Sequence, residues 1–179
     1  GPAQAGGPFR RKLRDDVFGG LFRTGHASGA LTEELVAASD MVIGAVLVPG
    51  AAAPKLVRRE QLAMMLPGAV LVDVAIDQGG CFETSKPTTH EDPIYEVDGI
   101  MHYCVANMPG AVARSSTQAL GNATLPFLLA LADKGWRRAV TDDPHLRAGL
   151  AVHDGQLTSP PVGEALGLAS VSPDTLLAG

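Results

Sequence analysis

The chain has 179 residues, 46% of them hydrophobic and 18% charged, with a formal net charge of −5 and a pI of about 5.4. That composition excludes a disordered chain and is enough to bury a core for one domain or for parts of two. The acidic balance, with no basic stripe among aromatics, excludes a nucleic-acid partner, and the apolar runs are too short to span a membrane.

Residues 1–14 are Gly/Pro-rich and then charged, and are expected to be disordered. They lack the apolar stretch of a secretory signal. Phe9–Thr24 reads as a frayed helix followed by a short strand, and Leu31–Ala38 as a short helix with Glu33 and Glu34 at its positive end. Met41–Val48 is a continuous apolar run closed by Pro49–Gly50. Pro54–Leu66 offers Pro54 as a first helical residue and Leu56, Val57, Leu62, Met65 and Leu66 as one apolar stripe. Ala69–Ile76 is a second apolar run, closed by Asp77, and Met101–Ala106 a third, closed by Asn107. Runs of this kind suit strands covered on both faces. With a helix between the first two they form a βαβ unit. Ser115–Lys134 is the longest helical stretch, with Ser115, Ser116 or Thr117 to cap it, Pro126 to kink it and Gly135 to stop it. Val162–Leu168 adds a short helix. The fold class is α/β: an incomplete Rossmann-like parallel sheet, followed by a helical segment.

Ligands of open parallel sheets bind beyond the carboxyl ends of the strands. Three such ends, Val48–Gly50, Asp77–Gly80 and Asn107–Gly110, combine a carboxylate and a carboxamide with Gly and Pro. For any one of them a simple turn is the better reading; their coincidence favours a site. A strand followed by G-x-G-x-x-G, the usual dinucleotide signature, is missing, so the sheet reads as beginning partway through a doubly wound fold.

The stretches "MVIGAVLVPGAAAPKLV", "LVDVAIDQGGCFETSKPTTH" and "YCVANMPGAVARSSTQALGNATLPFLLALADKGW" resemble the alanine dehydrogenase/transhydrogenase family, from about Asp15 to Leu168. The resemblance implies NAD as cofactor and oxidative deamination of L-alanine to pyruvate and ammonia. It implies that residues 15–112 are the later half of an NAD-binding domain and that residues 113–179 return to a substrate domain. Asp77 takes the position of the catalytic aspartate. Val46 and Leu47 match contacts to the adenosine side of the cofactor; Val74, Ala75, Ile76, Asp77, Val105, Ala106, Asn107 and Met108 match the nicotinamide side. Lys86 stands where an arginine is often found. A metal pair of Glu and His in some members falls here on Ala130 and Lys134, so no metal is expected. Without the Gly-rich turn and the family's N-terminal substrate region, the chain is expected to be a truncated form, inactive by itself. Full-length members are expected to be cytoplasmic homo-oligomers, and the two cysteines, Cys81 and Cys104, fit a reducing compartment.

Other readings compete. "MLPGAVLVD" resembles a stretch of D-2-hydroxyacid dehydrogenases, but Asp77 stands where those have their carboxylate-binding arginine. A transhydrogenase subunit and a non-catalytic remnant or interaction module are the remaining alternatives. Asp73, inside its strand, reads as a hydrogen-bonded structural acid. His102 and Cys104, two apart in a strand, share a face and read as core. Cys81 lacks a neighbouring base and is no candidate nucleophile. His90, His145 and His153 read as surface residues, and Arg58–Arg59 and Arg137–Arg138 as solvated helix faces.

Overall fold

A computed structural model describes Leu21, Gly25 and residues 28–177. The elements expected over residues 1–14 and Phe9–Thr24 fall outside that range, apart from Leu21. The described residues form two units, one reaching to Val48 and resuming over Ala52–Ala106, the other made of Pro49–Ala51 and the chain from Asn107 onward.

In the first unit, helix α1 (Gly29–Ala37) opens at Ser28, whose hydroxyl accepts from the Leu31 amide at 3.3 Å, the usual role of a serine cap. The helix starts earlier than expected, so Glu33 and Glu34 lie beyond its first turn. Glu33 pairs instead with Arg58 and accepts from Gln61 Nε2, both at 3.2 Å. The sheet contains β1 (Met41–Gly44), β2 (Val70–Asp73), β3 (Ile94–Val97) and β4 (Ile100–Tyr103), in the order β1-β2-β4-β3. Strands β1, β2 and β4 are parallel, as the apolar runs imply.

Strand β3 is a departure: it pairs antiparallel with β4. The cause is the Asp98–Gly99 turn, where both residues have positive φ, 53° and 81°; this backbone matches the twist of a two-residue hairpin. The first two strands are also shorter than their apolar runs. The β1–β2 ladder closes with Gly44 opposite Asp73, because the chain turns away at Val74 and leaves residues 45–48 without a ladder partner. Gly44 has a packing reason too: a Cβ there would sit 2.2 Å from Cys81 Sγ and 2.7 Å from the Phe82 ring.

The helix expected over Pro54–Leu66 does not form. Val57 makes a parallel bridge to Phe82, and the Leu56 amide donates to the Cys81 carbonyl at 2.7 Å. This extended pairing consumes the first half of the segment, and only a 3-10 helix, Arg59–Met64, follows. Of the proposed stripe, Val57, Leu62 and Met65 are buried while Leu56 and Leu66 are exposed. The core of this unit gathers Val36, Val57, Leu62, Leu71, Phe82 and Ile100. His102 and Cys104 are buried as well.

The second unit begins with a 3-10 turn, Met108–Val112, and helix α2 (Ala113–Lys134). The helix starts before Ser115, so none of the proposed caps serves; Ser116 instead donates to the Pro109 carbonyl at 2.9 Å. Gly135, with φ 73°, ends it as expected. None of its residues is buried. Helices α3 (Trp136–Asp142) and α4 (Pro144–Ala148), a hairpin of β5 (Val152–His153) and β6 (Gln156–Leu157), and helices α5 (Pro160–Leu166) and α6 (Pro173–Leu177) complete the unit. Asp154–Gly155 repeats the positive-φ hairpin turn. His153 is half-buried on the Trp136 ring, with centroids 4.0 Å apart, rather than in a surface loop. No described helix is long and apolar enough to cross a membrane.

Candidate functional site

The stretch from Asp73 to Phe82 is organised by one carboxylate. Asp73 is fully buried. Its Oδ1 accepts from the Ala75 amide at 3.0 Å and its Oδ2 from the Cys81 amide at 2.8 Å and the Phe82 amide at 3.3 Å. The Ser85 hydroxyl donates to Oδ2 and the Cys81 thiol, at 3.4 Å, to Oδ1. A buried carboxylate persists only when its lone pairs are satisfied in this way. Burial, then the adjacent Asp73 charge, pushes the Cys81 thiol up to about 12, so it stays protonated and is no nucleophile.

Between these anchors the chain forms a 3-10 turn, Val74–Gln78. Asp77 therefore sits on this turn, exposed to solvent, and not on the end of a strand as the apolar run implied. The two glycines after it have backbone duties. Gly79 and Gly80 both adopt positive φ, 86° and 74°; a side chain on Gly79 would meet nothing, whereas one on Gly80 would lie 2.7 Å from Ser85 and 2.9 Å from the Asp73 carboxylate. They allow the chain to fold back onto Asp73. Lys55, which the sequence did not single out, donates to the Gly79 and Gly80 carbonyls at 2.6 and 2.7 Å and holds them from outside.

Val46, Leu47, Val74, Ala75 and Asp77 line one cavity of about 230 Å³, together with Ala45 and Gln78. Five of the expected contact residues thus share a single recess beyond the β1 and β2 ends. Leu47 and Val74 are exposed there, at 69% and 48%. Gln78 is a lining residue that sequence reasoning missed, although it adjoins Asp77. Its carboxamide pairs with both polar groups of Val48: Oε1 accepts from the amide at 3.4 Å and Nε2 donates to the carbonyl at 3.3 Å. Ile76 is not brought to the recess; it is buried.

The residues after β4 divide between the units. Val105 is buried and forms a parallel bridge with Thr88, and the Ala106 amide donates to the Thr88 carbonyl at 3.1 Å. Asn107, in the second unit, adopts φ 56° and ψ 51°, a conformation Asn tolerates better than most residues. It lines a separate recess of the second unit with Pro109, Gly110 and Ser116. Met108 is half-buried at the start of the 3-10 turn. Lys86 lies outside the first recess. Its amide donates to the Tyr95 hydroxyl at 2.8 Å and its ammonium stands 4.3 Å from the centre of that ring. Among the described residues no three His, Cys, Asp or Glu side chains are grouped to hold a metal.

Parallel strands that open at their carboxyl ends on a partly apolar recess with a carboxylate at its edge define a Rossmann-like α/β protein. The chain belongs to the alanine dehydrogenase/transhydrogenase family: residues 8–160 match the family described as "Alanine dehydrogenase/PNT, C-terminal domain". It is 63% identical over 168 residues to the alanine dehydrogenase of Halomonas elongata and 57% identical over 154 residues to that of Mycolicibacterium smegmatis. These matches take in 94% and 86% of this chain but 45% and 42% of the relatives. A solved L-alanine dehydrogenase structure superimposes with a TM-score of 0.75 at 44% identity, over 90% of this chain and 44% of the other. The chain therefore spans less than half the length of the relatives it matches.

Proposed function

We propose that this chain carries the cofactor-facing part of an NAD-dependent alanine dehydrogenase, which converts L-alanine and water to pyruvate and ammonia. The observation that carries the reading is the recess formed by Val46, Leu47, Val74, Ala75 and Asp77 in a member of this family. Its lining fits a flat cofactor ring: exposed Leu47 and Val74 side chains offer apolar surface, and Asp77 and Gln78 a polar rim. Val105, Ala106, Asn107 and Met108 are proposed to complete the nicotinamide side, and Lys86 to lie near the cofactor. In the same reading, residues 15–112 belong to the NAD-binding domain and residues 113–179 to the substrate domain. The cysteines are free and buried, which suits action in the cytoplasm.

When bound, NAD would supply the acceptor for the hydride on the alanine Cα. Asp77 then holds its negative charge beside the cationic imine nitrogen of the substrate and orients the water that adds to the imine carbon. An exposed carboxylate on a firmly tethered turn suits that task, since a preorganised charge costs no reorganisation when the cation forms. Positioning of alanine is assigned to residues beyond this chain, because orientation of the substrate supplies as much as roughly 7–11 kcal/mol of the barrier reduction.

The test is a fusion of this chain to the N-terminal part of the Halomonas relative, assayed for NADH formation from L-alanine. The fusion is expected to be active, the chain alone inactive, and Asp77→Asn to lower kcat by about 10²–10³-fold, the range for loss of one preorganised electrostatic group. Equal rates for the native and Asp77→Asn fusions would remove Asp77 from the chemistry.

A further inference from the structure

Asp73 has no route to the recess, since it is fully buried, yet it touches both ends of the segment that carries Asp77. One oxygen takes the amide of Ala75, two residues before Asp77; the other takes the amides of Cys81 and Phe82, beyond the two glycines. The seven residues from Val74 to Gly80 are thus strung between two points on a single rigid carboxylate. Ser85 orients that carboxylate by donating to Oδ2. Gly80 has φ +74°, and a Cβ there would lie 2.9 Å from Asp73 Oδ2, so the backbone is drawn against this side chain as closely as a glycine permits. No other described side chain bonds to both ends of the segment; Lys55 holds only its far end, through the Gly79 and Gly80 carbonyls.

We infer that Asp73 is a positioning residue, which sets the place of Asp77 at the recess by tying both ends of its turn to one carboxylate. The inference rests on the dehydrogenase reading for its functional consequence and on the hydrogen bonds alone for its structural one. An amide in place of the carboxylate keeps one acceptor oxygen and puts an NH2 group where Oδ1 or Oδ2 stood. One end of the turn then loses its acceptor, and Asp77 gains freedom without any change in its own chemistry.

Two readouts test this. In the chain itself, Asp73→Asn should speed hydrogen exchange at the Ala75, Cys81 or Phe82 amides by about tenfold or more, as easier opening of the turn requires. Unchanged exchange at all three turn amides would overturn the inference. In the fusion, Asp73→Asn should lower kcat about tenfold or more, because a misplacement of about 1 Å can cost a hundredfold. In the Asp77→Asn background the same change should cost less than about twofold, because a residue that acts through another shows no separate effect once the other is gone. Equal losses in both backgrounds would overturn it. Should Asp73→Asn fail to fold, Ser85→Ala carries both readouts, with smaller effects in the same direction. An inactive native fusion would sink the dehydrogenase reading, and the exchange measurement would still decide whether Asp73 holds the turn.

Discussion

The segment after β2 and helix α2 use their side chains in opposite ways. From Asp73 to Phe82 the chain satisfies itself: the carboxylate of Asp73 is matched by amide, hydroxyl and thiol donors from the same unit, and Phe82 is 1% exposed. Along α2 no residue is buried, and Leu120, Leu125, Leu128 and Leu129 are all at least half exposed. The first region carries its own reasons for being where it is. The second makes a regular helix whose leucines at 120, 125, 128 and 129 are covered by little among the described residues, so they add little packing energy there.

Truncation in the core should show the contrast most strongly. Phe82→Ala is expected to destabilise the sheet unit by about 3–5 kcal/mol, the usual cost of an emptied aromatic site. Urea unfolding followed by circular dichroism measures it; a loss below about 1 kcal/mol would mean that Phe82 is not at the centre of this packing.

A smaller effect follows from His102. Its Nδ1 faces the Ile100 carbonyl at 2.9 Å, which only accepts, so Nδ1 carries the proton and Nε2 accepts from Thr84 Oγ1 at 2.7 Å. Burial lowers its pKa from the ordinary 6.5. The unfolded ring therefore takes up a proton at a pH where the folded ring does not. The stability tied to this difference is whole above the unfolded pKa and is lost as pH falls from there toward the folded value. The urea midpoint should drop as pH falls through the ordinary imidazole value of about 6.5, and His102→Gln should flatten part of that drop. An identical slope in the variant would show that other groups account for it.

The smallest change is expected on α2. Leu128→Ala should shift the stability of this chain by less than about 0.5 kcal/mol, as for surface sites without partners. A loss above about 2 kcal/mol would erase the contrast between the two regions and require a buried partner for this face. Sedimentation adds a second handle: exposed apolar faces promote association, so oligomers should lose mass when Leu125 and Leu128 are both made polar.

Much of the sheet could be read from the sequence. The apolar runs at Met41, Val70 and Met101 mark three parallel strands, because strands covered on both faces need continuous apolar residues. Their ends could not be read, since β1 stops where its neighbour stops, at Gly44 opposite Asp73. The Pro54–Leu66 helix failed for a related reason: an apolar stripe does not reveal that Val57 will lie extended against Phe82. The two hairpins were legible and overlooked, with Asp98–Gly99 and Asp154–Gly155 as their signals. In the site, the recess residues came from family resemblance and not from periodicity. The tether on Asp73 was hidden because its donors Cys81, Phe82 and Ser85 lie 8, 9 and 12 residues away, and a single sequence holds no record of that meeting.

The central claim is that two aspartates four positions apart divide the work, Asp73 building the turn and Asp77 facing out from it. The most direct measurement is the unfolding free energy of the chain with Asp73→Asn and, separately, with Asp77→Asn. The account predicts a loss of about 3 kcal/mol or more for Asp73→Asn, since removing an acceptor strands buried donors, and a change within about 0.5 kcal/mol for exposed Asp77. Equal losses, or a larger one for Asp77→Asn, would contradict it.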